Sequence, residues 1–308
     1  MSNNISGGDL RNLQQNGIEQ IKSIFKRVES FSIYATGTGH RGTKADDKNV
    51  DRRCAAKAQC STKGKEGIFK VVDKYGSYIL KPPLSDYEEV PENEDVTMRM
   101  AAACGIDVPF HGLAYAKDGS KLYFIRRFDR VGRTGKRHVE DFAQVAGMSR
   151  STKYNYSMEK VVTLIEKYCT FPMVEKMKLL RRVLFCWLCG NEDMHLKNFS
   201  LVHHQDGKIE LSPAYDLLNT SIVLANAVEE MALPLQGKKS NLNEEIFLDY
   251  FGKERLGLNQ KVLTNIKQDI QSALPEWDQL IEISFLSDTM KEAYKSILNK
   301  RQKDIGWM

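Results

Sequence analysis

Residues 172–190 read PMVEKMKLLRRVLFCWLCG and run straight into the polar stretch NEDMHLKN. Met173, Met177, Leu180, Leu184 and Trp187 recur at helical spacing and mark one apolar face. Such a face has to be buried against other elements, and Pro172 suits a first helical turn. The polar residues that follow without a linker therefore stand at the end of a core helix.

Within that polar stretch Asp193 precedes Asn198 by five positions, and Lys197 lies between them. A hairpin signal at Asp206-Gly207, inside FSLVHHQDGKIELSPAYD, then returns the chain to Asp216. The D-x-x-x-x-N spacing is that of a protein-kinase catalytic loop. Phosphoryl transfer to a hydroxyl needs a carboxylate beside the hydroxyl, oxygen ligands for magnesium and a cation near the phosphates. Lys81, at the end of the strand YILK, supplies a candidate cation, and Glu94 in the first turn of the next helix a partner for it. On spacing alone, an exposed strand-end lysine and a dipole-favoured first-turn acid are equally good readings.

The surrounding elements follow from periodicity and turn signals. IFKVVDKYGSYILKPP reads as strand, turn, strand, with Pro82-Pro83 ending the pairing. PENEDVTMRMAAACGI reads as a helix, and HGLAYAKDGSKLYFIRRFDR as a hairpin about residues 117–120. After Arg130 helical patterns dominate, through NEEIFLDYFGKERLG, NQKVLTNIKQDIQSAL and SDTMKEAYKSILNKRQ. The expected fold is α+β, with a small β-rich lobe over 67–130 and a larger helical lobe over 131–308. Residues 1–66 form an atypical segment: a rough apolar face near 10–28, then a long loop over 34–66.

Composition narrows the function classes. No run approaches the ~18 apolar residues of a membrane span, and MSNNISGGDL lacks a secretory pattern, so an intracellular, cytoplasmic setting is the default expectation. A net charge of +5 is too mild to argue for nucleic-acid binding. Cys186 and Cys189 form a lone C-x-x-C inside the apolar helix, which reads as buried thiols and not as a redox or zinc pair.

GNEDMHLKNFSL followed by LSPAYDLLNTS resembles the HipA family of bacterial toxin serine/threonine kinases. YILKPP, PENEDVTMRMA, GIDVPFHGL, FIRRFDR and VEDFAQVAG resemble it too, from about Gly64 to the C-terminus. The resemblance implies a protein-kinase-like two-lobe fold, ATP and Mg2+ as cofactors, and autophosphorylation as well as transfer to a protein. It implies Asp193 as catalytic base, Lys197 beside the transferring group, and Asn198 and Asp216 as magnesium ligands. It places Lys81 at the ATP phosphates with Glu94 as partner, Phe128 at the adenine and Asp129 near the ribose. Arg126 stands at a hinge position where the family carries an acid, and His195 shapes the loop. It also implies an aminoacyl-tRNA synthetase as substrate, with a helix-turn-helix HipB-like repressor and a separate HipS-like small subunit as antitoxin partners. DNA would be met only through the antitoxin. The length suggests the short HipT-like form.

Gly37-x-Gly39-x-x-Gly42 has nucleotide-loop spacing, but it lies too far from Lys81 to be the family's phosphate loop, and that spacing alone is a weak signal. The expected loop sequence is missing upstream of Lys81. Residues 34–63, back-translated with permitted codons and read one nucleotide later, resemble it. A displaced reading frame over 34–62 is therefore expected, and with it a rival function: a catalytically impaired kinase-fold protein that still binds its antitoxin.

Overall fold

The computed structural model describes residues 58–63, 68–72, 75–84, 86–116, 119–132, 134–224 and 229–307. The expected helix near 10–28, the Gly37–Gly42 stretch and residues 34–57 of the expected frame displacement lie outside the described residues.

The small lobe holds β1 (Ala58–Lys63), β2 (Ile68–Val71), β3 (Tyr78–Lys81), α1 (Val90–Ala103), β4 (His111–Tyr115) and β5 (Lys121–Arg126). Beyond it come the short pair β6 (Arg130–Val131) and β7 (Gly135–Lys136), then β8 (His138–Asp141) and α2 (Phe142–Val145). The helical lobe continues with α3 (Met158–Tyr168), α4 (Pro172–Leu188), β9 (Ser200–His203) and β10 (Ile209–Leu211). A π-type helix over Glu245–Arg255 precedes α5 (Gln260–Glu282) and α6 (Asp288–Asp304). This is the α+β arrangement expected from the sequence, a β-rich lobe followed by a helical one.

Five antiparallel strands in the order β2-β1-β3-β5-β4 form the small lobe's sheet. Two expectations change here. Residues 58–63 are a strand and not loop, so the lobe starts before residue 67. β2 and β3 do not pair with each other, because β1 lies between them. The sequence AQCSTK has no β-branched aliphatic or aromatic residue, so local propensity misses a strand that tertiary pairing makes. Cys60 of β1 packs with Phe69, Leu80, Ala114 and Phe124 in a small outer core.

The side-chain alternation of a strand then decides where Lys81 points. Leu80 lies opposite Phe124 and faces the outer core. Ile79 and Lys81, opposite Ile125 and Tyr123, share the other face, towards the main core. The Lys81 ammonium lies 5.5 Å from the centroid of the Tyr123 ring.

α1 is buried on nearly every side, Glu92 to Met98 included. Each polar side chain in that run has a partner, as burial requires. Towards the sheet, Glu92 pairs with Lys121 at 3.0 Å, Glu94 with Lys81, and Asp95 with His111 at 3.3 Å. Towards the helical lobe, Asn93 Nδ2 donates to the Asn219 carbonyl at 2.9 Å, and Asn93 Oδ1 accepts from the Asn219 N–H at 2.8 Å. Thr97 and Tyr294 share a hydroxyl hydrogen bond of 2.9 Å, and Trp277 Nε1 donates to the Met100 carbonyl at 2.9 Å. Glu94 lies beyond the first turn, where Glu92 is the acid. Its position is explained by Lys81 and not by the helix dipole.

α4 is the axis of the helical lobe. Leu180, Leu184 and Trp187 are fully buried, as the periodicity requires, but Met173 in the first turn is half exposed. That turn projects past the core, so the apolar stripe overran the packed part of the helix. Cys186 and Cys189 are buried free thiols, and burial pushes the Cys186 thiol up to about 12. Beneath this lobe β8, β9 and β10 form a three-stranded sheet, with Asp141 opposite Ser200. Asp141 also caps α2 through a reciprocal pair of 2.9 Å bonds with Gln144.

Replacing Asn93 by alanine leaves a buried N–H and a buried carbonyl of Asn219 without their side-chain partner. Each orphaned group costs about 1–3 kcal/mol, so urea denaturation should find N93A destabilised by about 2 kcal/mol or more. A change within error would mean that this amide pair does not hold α1 to the helical lobe.

Candidate active site

The site is built around Lys81, which is 8% exposed and contacts both Glu94 and Asp216. Burial alone would lower the pKa of this ammonium. The Asp216 and Glu94 carboxylates together outweigh that and hold it above the usual lysine range, so Lys81 is a cation. Asp216 sits at φ 61°, a left-handed conformation that is uncommon for a side-chain-bearing residue and that aspartate tolerates better than most. Its neighbour Tyr215 is anchored, donating to the Lys197 carbonyl at 2.9 Å and hydrogen-bonded to Ser200 Oγ at 2.6 Å.

The second half of the site begins where α4 ends. Gly190 has φ 72°, and a Cβ there would meet Asn219 Oδ1 at 2.7 Å and Ser221 Oγ at 2.9 Å. Only glycine fits this turn, which brings the loop of Asp193 against the segment that follows Asp216. Asn191 Oδ1 accepts from the Asp193 N–H at 3.0 Å. The Asp193 carbonyl accepts from the His195 N–H at 2.8 Å and from Asn198 Nδ2 at 2.8 Å. With its amide nitrogen so used, Asn198 has Oδ1 as its remaining side-chain atom. Leu196 and Phe199, both buried, pin the loop to the core.

Tyr154 donates its hydroxyl to Asp193 Oδ1 at 2.5 Å. The Tyr154 ring meets the buried His195 ring edge-on at 5.0 Å. Burial pushes His195 below the usual imidazole range, more than the Asp193 charge raises it, so the ring is neutral near pH 7. That placement suits a shaping role. Lys197 pairs with Asp141 Oδ2 at 2.5 Å, so β8 holds the lysine beside the loop.

These groups share a cleft with two adjoining compartments. One, of about 260 Å³, is lined by Lys81, Glu94, Lys153, Asp193, Asn198 and Asp216 among others. The other, of about 320 Å³, is lined by Ile79, Arg126, Phe128, Asp129 and Tyr215, and shares Lys81 and Asp216 with the first. In the second, the Phe128 and Tyr215 rings lie 5.6 Å apart and tilted by 30°. Burial would raise the Asp129 pKa, but two hydrogen bonds from Arg127, at 2.9 and 2.8 Å, hold it below the usual carboxylate range. The Arg126 and Arg127 N–H groups are already used, on the Phe110 carbonyl at 2.7 Å and the Ser77 carbonyl at 2.8 Å. Arg126 is exposed at the rim.

All ten residues singled out in the sequence therefore line one cleft or pair directly with its walls. Sequence reasoning missed Tyr154, Lys153 and Asp141, and it placed Arg127 in the hinge without its pairing to Asp129. Tyr154 and Lys153 lie in the polar run SRSTKYN, whose spacing gives no link to Asp193 some forty positions on. Asn198 Oδ1 and the Asp216 carboxylate are hard oxygen donors, the type that suits Mg2+, and the residues present fit that ion.

Residues 54–277 match the family described as HipA-like C-terminal domain. A Haemophilus influenzae protein named "Putative kinase" is 30% identical over 239 residues, covering 69% of this chain and 67% of that protein. The serine/threonine-protein kinase toxin HipA of Shewanella oneidensis is 29% identical over 239 residues, covering 69% of this chain and 53% of its own. Matches to two Sinorhizobium fredii relatives span 38% and 41% of those proteins. Among solved structures, Shewanella oneidensis HipA, in its complex with HipB and operator DNA, superposes with a TM-score of 0.68 at 22% identity. That match covers 94% of this chain and 70% of the other. The Helicobacter pylori proinflammatory kinase CtkA gives a TM-score of 0.55 at 17% identity, over 74% of this chain and 87% of the other. The fold is thus protein-kinase-like, and the chain belongs to the HipA-like C-terminal domain family.

Proposed function

We propose that the protein is an ATP- and magnesium-dependent serine/threonine protein kinase that acts as the toxin of a toxin–antitoxin pair. The observation that carries this reading is the Lys81 ammonium held between Glu94 and Asp216, with Asp193 and Asn198 lining the same compartment. The apolar compartment, with Phe128 and Tyr215 as one wall, takes the adenine. Lys81 holds the phosphates. The substrate hydroxyl gives its proton to Asp193 as its oxygen bonds to the γ-phosphorus, the bond to the β-γ bridging oxygen breaks, and ADP leaves. Tyr154 keeps the Asp193 carboxylate oriented for that proton. Asn198 and Asp216 would hold the magnesium, which when bound neutralises phosphate charge. Lys197, fixed by Asp141, adds positive charge beside the transferring group. Asp129, held by Arg127 on the wall of the apolar compartment, lies near the ribose.

The substrate we propose is a protein, an aminoacyl-tRNA synthetase, whose phosphorylation would stop translation. The antitoxin partners would be a HipB-like repressor, through which the chain meets DNA, and a HipS-like subunit. The HipB-like partner is supported by the HipA–HipB–operator complex on whose HipA the chain superposes; the synthetase and the HipS-like subunit rest on the family resemblance alone. A second reading has one observation in its favour: residues 50–57, upstream of the sheet, carry two arginines and no glycine, so a glycine phosphate cradle is missing from that stretch. On that reading the chain binds its partner and transfers phosphate poorly.

Transfer of γ-phosphate from ATP to protein by the purified chain separates the two. D193N and D216N should each lower it by about 100-fold or more. Retained activity in either would overturn the site assignment, and an inactive parent chain that still binds its partner would favour the second reading. Y154F removes a hydrogen bond to a charged group, worth about 1.5–3 kcal/mol, so kcat should fall by about tenfold or more while KM for ATP stays unchanged. An unchanged kcat would remove Tyr154 from the mechanism.

A further inference from the structure

Outside the cleft, β8 and β9 bring together three side chains that the proposed chemistry does not use. His138 lies directly opposite His203 in the strand register, and Glu140 is two residues along β8. The period of two puts all three on one face of the sheet. The two imidazole rings have centroids 4.6 Å apart. His138 Nε2 and His203 Nε2 each stand 3.1 Å from the same carboxylate oxygen, Glu140 Oε2. None of the three lines either compartment of the cleft.

We propose that His138, Glu140 and His203 form a zinc-class metal site. Two imidazole nitrogens and one carboxylate oxygen are a donor set suited to Zn2+, and its nitrogen ligands disfavour Mg2+. The spacing agrees. Tetrahedral ligands at about 2.0–2.2 Å from zinc stand roughly 3.3 Å from one another, close to the two 3.1 Å separations here. All three ligand atoms lie within 4.8 Å of one another. A further sign is His203 Nε2, which is shielded from solvent and makes no hydrogen bond despite its closeness to Glu140. A cation between them would satisfy the nitrogen and the carboxylate at once. The His138 side is exposed, which leaves an entry path and a fourth position for water.

The site has a mechanical consequence. β8 runs directly into Asp141, and β9 follows directly on Asn198 and Phe199. A metal bridging the strands would staple together the elements that carry Asp141 and the loop of Lys197.

Titration of the full chain with Co2+, a spectroscopic stand-in for zinc, tests the site, followed by displacement with Zn2+. The expected result is one equivalent of Co2+ with visible d–d bands, lost on adding Zn2+, and a rise in Tm with Zn2+. H138Q, E140Q and H203Q should each weaken binding by about tenfold or more, with far-ultraviolet circular dichroism unchanged. H204Q, whose ring pairs with Glu210 at 2.7 Å, should bind as the parent does. Absence of stoichiometric binding by the parent chain overturns the proposal. So does binding that survives the H138Q/H203Q double replacement, or that is lost equally in H204Q.

Discussion

The Lys81 ammonium lies inside the protein against two carboxylates, and much of the surrounding architecture serves to keep it there. Removing an ammonium from water costs several kcal/mol unless charges and hydrogen bonds replace the solvent. Glu94 and Asp216 come from elements more than a hundred residues apart, so their meeting requires α1 and the segment after β10 to be fixed relative to each other. Asn93 does this directly, with its amide bonded both ways to the backbone of Asn219, three residues beyond Asp216. Removing either carboxylate would leave the lysine under-compensated, and removing the lysine would leave a buried acid, Glu94, and a partly buried one, Asp216, in mutual repulsion. The cluster works only as a unit.

Its legibility in the sequence was uneven for physical reasons. Asp193, Lys197 and Asn198 sit within one short loop whose spacing mirrors their chemistry, so a linear reading finds them. Lys81 and Glu94 were visible as a strand-end lysine and an early helical acid, but their pairing is tertiary, and the helix dipole offered an equally good local account. Tyr154 was invisible, because a tyrosine in a polar run has no periodic or spacing relation to an aspartate far along the chain. β1 was invisible for another reason: AQCSTK carries almost no strand propensity, and its pairing with both β2 and β3 supplies what the residues lack. The helical lobe was the most legible part, since the burial of Leu180, Leu184 and Trp187 is written in a 3.6-residue period.

α1 was readable as a helix, but nothing in its local sequence says that its polar residues are interior. Both lobes close over it, so Glu92, Asn93, Glu94, Asp95 and Thr97 are interior groups, and each is spoken for by a specific partner. Amphipathicity is a poor guide for an element clasped from two directions.

The bonds on the two flanks of α1 differ in kind. The flank against the helical lobe is sewn with neutral hydrogen bonds, Asn93 to Asn219, Thr97 to Tyr294 and the Met100 carbonyl to Trp277. The flank against the sheet is joined by charges, Glu92 to Lys121 and Glu94 to Lys81. A neutral hydrogen bond weakens steeply with a small change in distance or angle, whereas the attraction between opposite charges decays only gradually with separation. The charged seam therefore tolerates slip and the neutral seam does not. A displacement of the sheet against α1 would cost less than a displacement of α1 against the helical lobe.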